Sequence, residues 1–403
     1  MHKVIRADLR PAYYDDFHCL AADCKRSCCI GWRITFDKKD YLSLKRLSGS
    51  AELNRRMEHG LRRIRHDDAV GEDSYGEFTM EGECCPLLRE DCLCALQLEK
   101  GHGALPYVCQ SFPRRETYQP SGYFERSLSP ACEAVMKLFW NRPEGIDFRS
   151  DPLPKEEWKS VTWEDDGILS SHFQEIRSQC IDFLQDRSRP LPQRILLLGL
   201  ALKKLADGEQ NVPHWLIYAR SLQEHDNPIL NTEDSHALPL FLSNNLQVLL
   251  TLKNPNPQFA DIPKKLMDAL ELQFQSGTFK AAVSSAPYLM ARERFERDYA
   301  GREYLMENLV TALFFHLHLP NLFSKKSLWK SYVNFCNLFS FYRFMAVMSC
   351  REGASGDRDE LFHLLVFASR SLLHDHLRQT ALRDELFQND SASLAHMAIL
   401  VSG

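Results

Sequence analysis

Along the last two-thirds of the chain, apolar positions return every three or four residues. Phe173, Ile176, Cys180, Phe183 and Leu184 make one such face, the period of an amphipathic helix. Pro190 and Pro192 open a second helix over Gln193–Leu205, and Asp207-Gly208 closes it. The same pattern predicts helices over about 213–225, 236–252, 261–275, 287–300, 303–318, 325–350, 357–378 and 391–401. Within 325–350, Leu328, Tyr332, Phe335, Phe339 and Tyr342 recur at helical steps, and such an aromatic stripe reads as core.

The first part of the chain has a different rhythm. Residues 1–18 read as an extended lead-in, and Trp32 to Phe36 alternates apolar with polar, as does the shorter run Glu77 to Met80; both predict short strands. Asp37 is placed to cap a helical stretch from about Lys38 to Arg65, interrupted near Ser48-Gly49-Ser50. Gly122 to Leu128 reads as a further strand, and Pro130 to Glu133 starts a helix reaching about Trp140. Three prolines and alternating charge in 141–157 mark a domain boundary. The expected fold is mainly α. A cysteine-rich domain with a few short strands covers 1–150, and an all-helical domain, the candidate for substrate recognition, covers 151–403.

Charge narrows the function classes. The net charge is −5 in 403 residues, which argues against a nucleic-acid binder. The longest apolar run, Leu309 to Leu319, is broken by Thr311, His316 and His318 and is too short to cross a bilayer, so no membrane partner is expected. The opening MHKVIRADLRPAYY has no apolar core of a secretory signal. A cytoplasmic protein is expected.

That compartment decides how the cysteines are read. Of 13, ten fall in the first 132 residues: Cys19, Cys24, Cys28, Cys29, Cys84, Cys85, Cys92, Cys94, Cys109 and Cys132. In a reducing cytosol, clustered thiols indicate metal or redox chemistry rather than a disulfide frame. The densest group lies in FHCLAADCKRSCCIGW, residues 17–32. Thiolate is a soft ligand that selects zinc, copper(I) or iron–sulfur clusters. Only His18 and His102 lie near these thiols in sequence, which favours all-thiolate ligation. Neither paired CxxC knuckles nor a CxxCxxC run is present, so spacing leaves zinc and iron–sulfur both open. A purely structural role is open too, because metal binding supplies about 10–16 kcal/mol of apparent folding free energy in zinc-finger peptides.

The ordered text F-x-C-x4-C-x3-CC-x-GW, then CPLL, LPYVCQSFPRR and SPACE, resembles the CxxCxxCC-type cysteine-rich proteins, and within them the flagellin lysine N-methylases (FliB). The likeness continues into YLMENLVTALFFHLHLP at 304–320. It implies methyl transfer from S-adenosylmethionine to surface lysines of flagellin by a protein carrying an iron–sulfur cluster, [4Fe-4S] in kind, with zinc as the alternative metal. Carried over by motif, the metal ligands are Cys19, Cys24, Cys28, Cys29, Cys85, Cys94, Cys109 and Cys132. Pro113 and Arg114 match the family's PR pair, making Arg114 a candidate for cofactor binding. Two departures stand out: the first cysteine spacings are wider than the family's label, and Ala-Cys-Glu stands where Ser-Cys-Pro-Glu is usual.

Lysine must attack as the neutral amine. With a free pKa of about 10.4, presenting it neutral near pH 7 costs about 4–5 kcal/mol, which desolvation or an adjacent base lowers. Glu125, Tyr123 and Glu133 are the acid–base candidates near the cysteines. The chain has no strand-GxGxG-helix fingerprint for the methyl donor. A non-catalytic zinc- or iron–sulfur-binding interaction module is the competing reading. The four thiols of 17–32 form no complete motif alone, and the Gly31-Trp32 step is expected to fold them back onto the later cysteines.

Overall fold

The computed structural model describes residues 2–65, 74–119, 122–162, 171–225, 237–252, 257–272, 284–320, 325–373 and 376–403. The protein is mainly helical, as expected. Its described strands are β1 (His2–Ile5), β2 (Ala7–Pro11), β3 (Ile34–Phe36), β4 (Leu61–Arg63), β5 (Gly76–Phe78), β6 (Arg114–Tyr118), β7 (Tyr123–Leu128), β8 (Phe148–Pro152) and β9 (Lys159–Thr162).

The lead-in is built into sheets. Strand β2 runs parallel to β7, with Leu9 opposite Glu125, and antiparallel to β8, with Leu9 opposite Ser150. With β6 on the outer side of β7, the order is β6-β7-β2-β8, while β1 pairs with β9. The proline-bearing stretch 141–157 thus carries a strand that sequence alternation did not reveal, because its partner lies about 140 residues earlier.

A second, three-stranded sheet, β3-β5-β4, supports the cysteines. Asp37 caps the helix Lys38–Arg46 through the Asp40 amide at 2.7 Å, and Ser50 caps the helix Ala51–Gly60 through the Leu53 amide. The helix expected to reach Arg65 stops at Gly60, since Leu61–Arg63 pair with Gly76–Phe78 instead. A Cβ on Gly60 would stand 2.2 Å from Pro86 Cγ, so the absent side chain lets the helix end meet the CPLL segment. Ile34, Phe36, Leu44, Leu53, Phe78, Leu87 and Leu96 close a compact core beneath this sheet.

Beyond residue 170 the helices match the apolar pattern closely. Phe173–Gln185, Leu191–Asp207, Val212–Glu224, Ala237–Thr251, Ala286–Asp298 and Tyr304–His316 lie within a few residues of expectation. Ile262–Ala269 is shorter than its expected span, whose last residues, 273–275, lie outside the described residues. Lys325–Met348 packs against the helices Leu191–Asp207, Arg358–Leu373 and Leu394–Ser402. Leu328, Tyr332, Phe335, Phe339 and Tyr342 are all buried, so the aromatic stripe is core. A large core joins Tyr13, Tyr14, Phe17, Val135, Met136, Phe139 and Trp140 to Phe241, Leu249, Phe344 and Phe367. The cysteine-bearing segment is therefore anchored directly to the helical body.

Candidate metal centre

Backbone pairing brings the two cysteine segments together. Gly31 takes φ +83°, the left-handed conformation glycine reaches without strain, and its amide bonds to the Glu83 carbonyl at 2.9 Å. Ile30 bridges Cys84, and the Cys85 amide donates to the Cys29 carbonyl at 2.8 Å. Leu88 bridges Cys94, and the Ala95 amide donates to the Leu87 carbonyl. Trp32 locks the turn: its indole N–H donates to the Cys28 carbonyl, and its ring lies 5.9 Å from Phe112. Cys109 sits in the short helix Tyr107–Ser111, whose first amide is held by Asp40 Oδ2 at 2.7 Å. Cys29, Cys94 and Cys109 pack with the buried Cys85 on the small core of the three-stranded sheet.

A second group faces the helical body. The Cys24 thiol approaches the Arg26 carbonyl at 3.2 Å and Glu133 Oε2 at 3.9 Å. Cys132 precedes the helix Glu133–Trp140 and packs on the large core. Arg370, from the helix Arg358–Leu373, donates to the Ser27 carbonyl at 3.0 Å, the Ala131 carbonyl at 3.1 Å and the Arg26 carbonyl. Arg26 reaches the other way, bonding His363 at 3.1 Å, pairing with Glu133 at 3.5 Å and lying over the Phe362 ring. The sequence offered no signal for Arg370 or His363, which stand more than 300 residues from the loop they hold.

Electrostatics follows this layout. A hydrogen bond from Cys29 brings Cys28 down to about 7, helped by the Arg370 guanidinium. Cys29 is correspondingly pushed well up by that hydrogen bond and by burial. Burial pushes Cys85 and Cys132 up to about 12, and raises Cys94, Cys109 and Cys24 as well. Buried thiols of this kind are inert until a cation displaces their protons. Burial opposes the charge of Glu133, yet Lys137 at 2.8 Å and Arg26 hold its carboxyl below the usual range.

The all-thiol donor set fits an iron–sulfur cluster or zinc, both held by deprotonated cysteines. Among the described residues, no three His, Cys, Asp or Glu side chains already stand together as a single-ion site. Of the eight expected ligands, Cys29, Cys85, Cys94 and Cys109 share one core. Cys28 stands between them and the pair Cys24 and Cys132. Cys19 is exposed, its sulfur accepting from the Ala21 amide at 3.4 Å.

The other candidates are spread around this centre. Glu125 is fully buried on β7. Arg177 meets it at 2.5 Å and His318 at 2.9 Å, while Gln119 donates to it at 3.0 Å. Tyr123 begins the same strand, half-buried against the helical body. The Arg114 guanidinium lies 4.8 Å over the Phe17 ring, next to the first cysteine motif.

Comparison with known proteins identifies the family of the helical part. Residues 177–400 match the model of the FliB lysine N-methylase C-terminal domain. The chain belongs to the FliB lysine N-methylase family. The flagellar biosynthetic protein FliU of Salmonella muenchen is 32% identical over 183 residues, covering 43% of this chain and 95% of that protein. The lysine-N-methylases of Salmonella choleraesuis and Salmonella typhimurium are each 33% identical over 146 residues, covering 34% of this chain and 33% of each methylase. Those alignments thus span a third of the two methylases. No solved structure matches the chain. The FliB domain match includes His363 and Arg370, so the family's C-terminal domain supplies side chains that grip the cysteine loop.

Proposed function

We propose that this FliB-family chain is a protein-lysine N-methyltransferase acting on surface lysines of flagellin, with S-adenosylmethionine as donor and a cysteine-bound iron–sulfur cluster. The observation that carries this reading is the docking of the thiol loop onto the FliB domain through Arg370 and the Arg26–His363 pair. An interaction module with an independent metal knuckle has no need for that coupling.

The donor supplies an electrophilic methyl group; the chain must bind, orient and desolvate the lysine. Glu125 and Glu133 are already engaged by Arg177 and by Lys137 with Arg26. That favours deprotonation by desolvation of the incoming amine, with Tyr123 and the two carboxylates shaping the surroundings. Cys29, Cys85, Cys94, Cys109 and their neighbours would hold the cluster, and Arg114, whose guanidinium lies over the Phe17 ring, would meet the donor's carboxylate. Residues 151–403 would recognise flagellin in the cytoplasm; among the described residues no helix is long and apolar enough to cross a membrane.

The test is incubation of anaerobically purified protein with flagellin and labelled S-adenosylmethionine. Label on flagellin lysines is expected; none, with metal content intact, overturns the assignment.

A further inference from the structure

The helical body holds a cleft of about 640 Å³ that no cysteine lines, a volume within the range of small-molecule sites. Arg187 and Arg189 reach it from the connection before the helix Leu191–Asp207, and Arg194 from that helix. Arg302 reaches it from the connection before Tyr304–His316, and Arg343 from the helix Lys325–Met348. Against these five guanidiniums stand three carboxylates, Glu296, Glu303 and Glu307. Glu307 is buried between Arg194 at 2.6 Å and Arg187 at 2.7 Å, so its charge is already matched. Glu303 accepts from the Gly301 amide at 3.1 Å, and Glu296 faces Arg292 at 3.9 Å. Arg343 donates from Nε to the Gly403 main-chain oxygen at 2.6 Å. Among the described residues, its terminal nitrogens and the whole Arg302 guanidinium meet no hydrogen-bond acceptor. The helix Leu191–Asp207 adds its positive end: its first turn, at the cleft wall, has no acidic residue and no side-chain cap. Aromatic side chains complete the lining. Phe295 and Tyr299 stack at 4.9 Å with their planes 27° apart, and Tyr304 and Phe339 also face the cleft.

We propose that this cleft binds a small organic dianion with a flat ring, of the nucleoside monophosphate class. The phosphate takes the unused donors of Arg302 and Arg343, since a planar guanidinium matches phosphate oxygens two at a time. The ring lies against the aromatic side chains, where stacking tolerates any base. Neither half of such a ligand satisfies the cleft alone. Inorganic phosphate leaves the rings in water, and a neutral nucleoside leaves both guanidiniums unpaired. The methyl donor fits poorly here: S-adenosylmethionine carries a sulfonium and an ammonium against one carboxylate, and the surplus guanidiniums repel that net positive charge.

The experiment titrates the full chain calorimetrically with adenosine monophosphate, inorganic phosphate and adenosine. The monophosphate is expected to bind at least about tenfold more tightly than either fragment, the equivalent of one charged hydrogen bond. Arg302→Glu, at an exposed position, and Arg343→Gln are each expected to weaken the monophosphate by about tenfold or more, with thermal unfolding checking that the fold is kept. Phe295→Ala is expected to weaken the monophosphate and leave phosphate binding unchanged. Should Arg343→Gln fail to fold, Arg302→Glu decides. No binding of the monophosphate, undiminished binding in Arg302→Glu, or phosphate bound as tightly as the monophosphate each overturn the assignment. Displacement of the monophosphate by S-adenosylmethionine at equal concentration also overturns it, by making the cleft the donor's.

Discussion

Arg370 donates to the Ser27 carbonyl at 3.0 Å across 343 residues of sequence. The same guanidinium reaches the Arg26 and Ala131 carbonyls, so one side chain ties the 24–28 loop and the 129–133 turn to the FliB domain. Hydrogen bonds from charged donors contribute about 1.5–3 kcal/mol each, and the bonds of one side chain do not simply add. Arg370→Ala should therefore destabilise the chain by about 2–4 kcal/mol, read from denaturant midpoints. Arg370→Lys keeps the charge but loses the planar fork and should recover only part of that. An alanine variant as stable as wild type would show the loop is held by other contacts.

The Glu125–Arg177 pair makes a sharper test of what joins sheet to helices. Both side chains are fully buried, and Arg177 also donates to the Phe315 carbonyl at 2.6 Å. Removing one partner strands a charge in a dry interior, at about 3–5 kcal/mol. Glu125→Gln and Arg177→Met should each cost that much in equilibrium unfolding, while the double variant should cost less than the sum. Strict additivity would mean the two charges are not coupled.

Much of this architecture is legible in the apolar period, because a helix reports its partners through its own spacing. Phe173 to Leu184 and the Leu328–Tyr342 stripe show their buried faces directly. Strand β8 and the end of the helix at Gly60 are not legible, since pairing with distant β2 and β5 decides both. The cysteines raise the expectation of metal chemistry in the sequence, but their grouping depends on which core each packs against. Spacing in sequence places Cys28 and Cys29 together; in the fold Cys29 packs on the small core with Cys85, Cys94 and Cys109, while Cys28 interacts both with those thiols and with Cys24 and Cys132. Arg370 and His363 read as ordinary helix residues until the loop is docked on them.

Close packing at Gly199 gives a third test. A Cβ there would meet Tyr332 Oη at 2.1 Å, and that hydroxyl donates to the Ile195 carbonyl at 3.1 Å. Gly199→Ala gains helix propensity yet forces the ring aside, so a net loss of about 1–3 kcal/mol is expected from overpacking. Combining it with Tyr332→Phe should relieve part of the clash. Thermal unfolding of the two single variants and the double reads this directly, and a stabilised Gly199→Ala would contradict the packing.

His318 supplies the pH dependence. It adopts φ +54° after the helix Tyr304–His316, and its ring faces Glu125, Arg177 and Arg115, with Thr117 Oγ1 at 3.0 Å. Burial lowers its pKa despite the hydrogen bond to Glu125, so the folded value lies below the unfolded value of about 6.5. Above that pH neither state binds the proton and the residue contributes nothing. As pH falls through about 6.5 the unfolded chain is protonated first, and stability drops until the folded His318 also takes its proton. The Glu125 carboxyl works lower down: burial opposes its charge, but Arg177 and His318 hold it below the usual range. Its contribution is present above the unfolded value of about 4.3 and lost as pH falls through the folded one. Unfolding free energy measured from about pH 8 to pH 5 should therefore decline on acidification. His318→Gln should flatten the upper part of that decline, and an unchanged slope in the variant would remove His318 as its source.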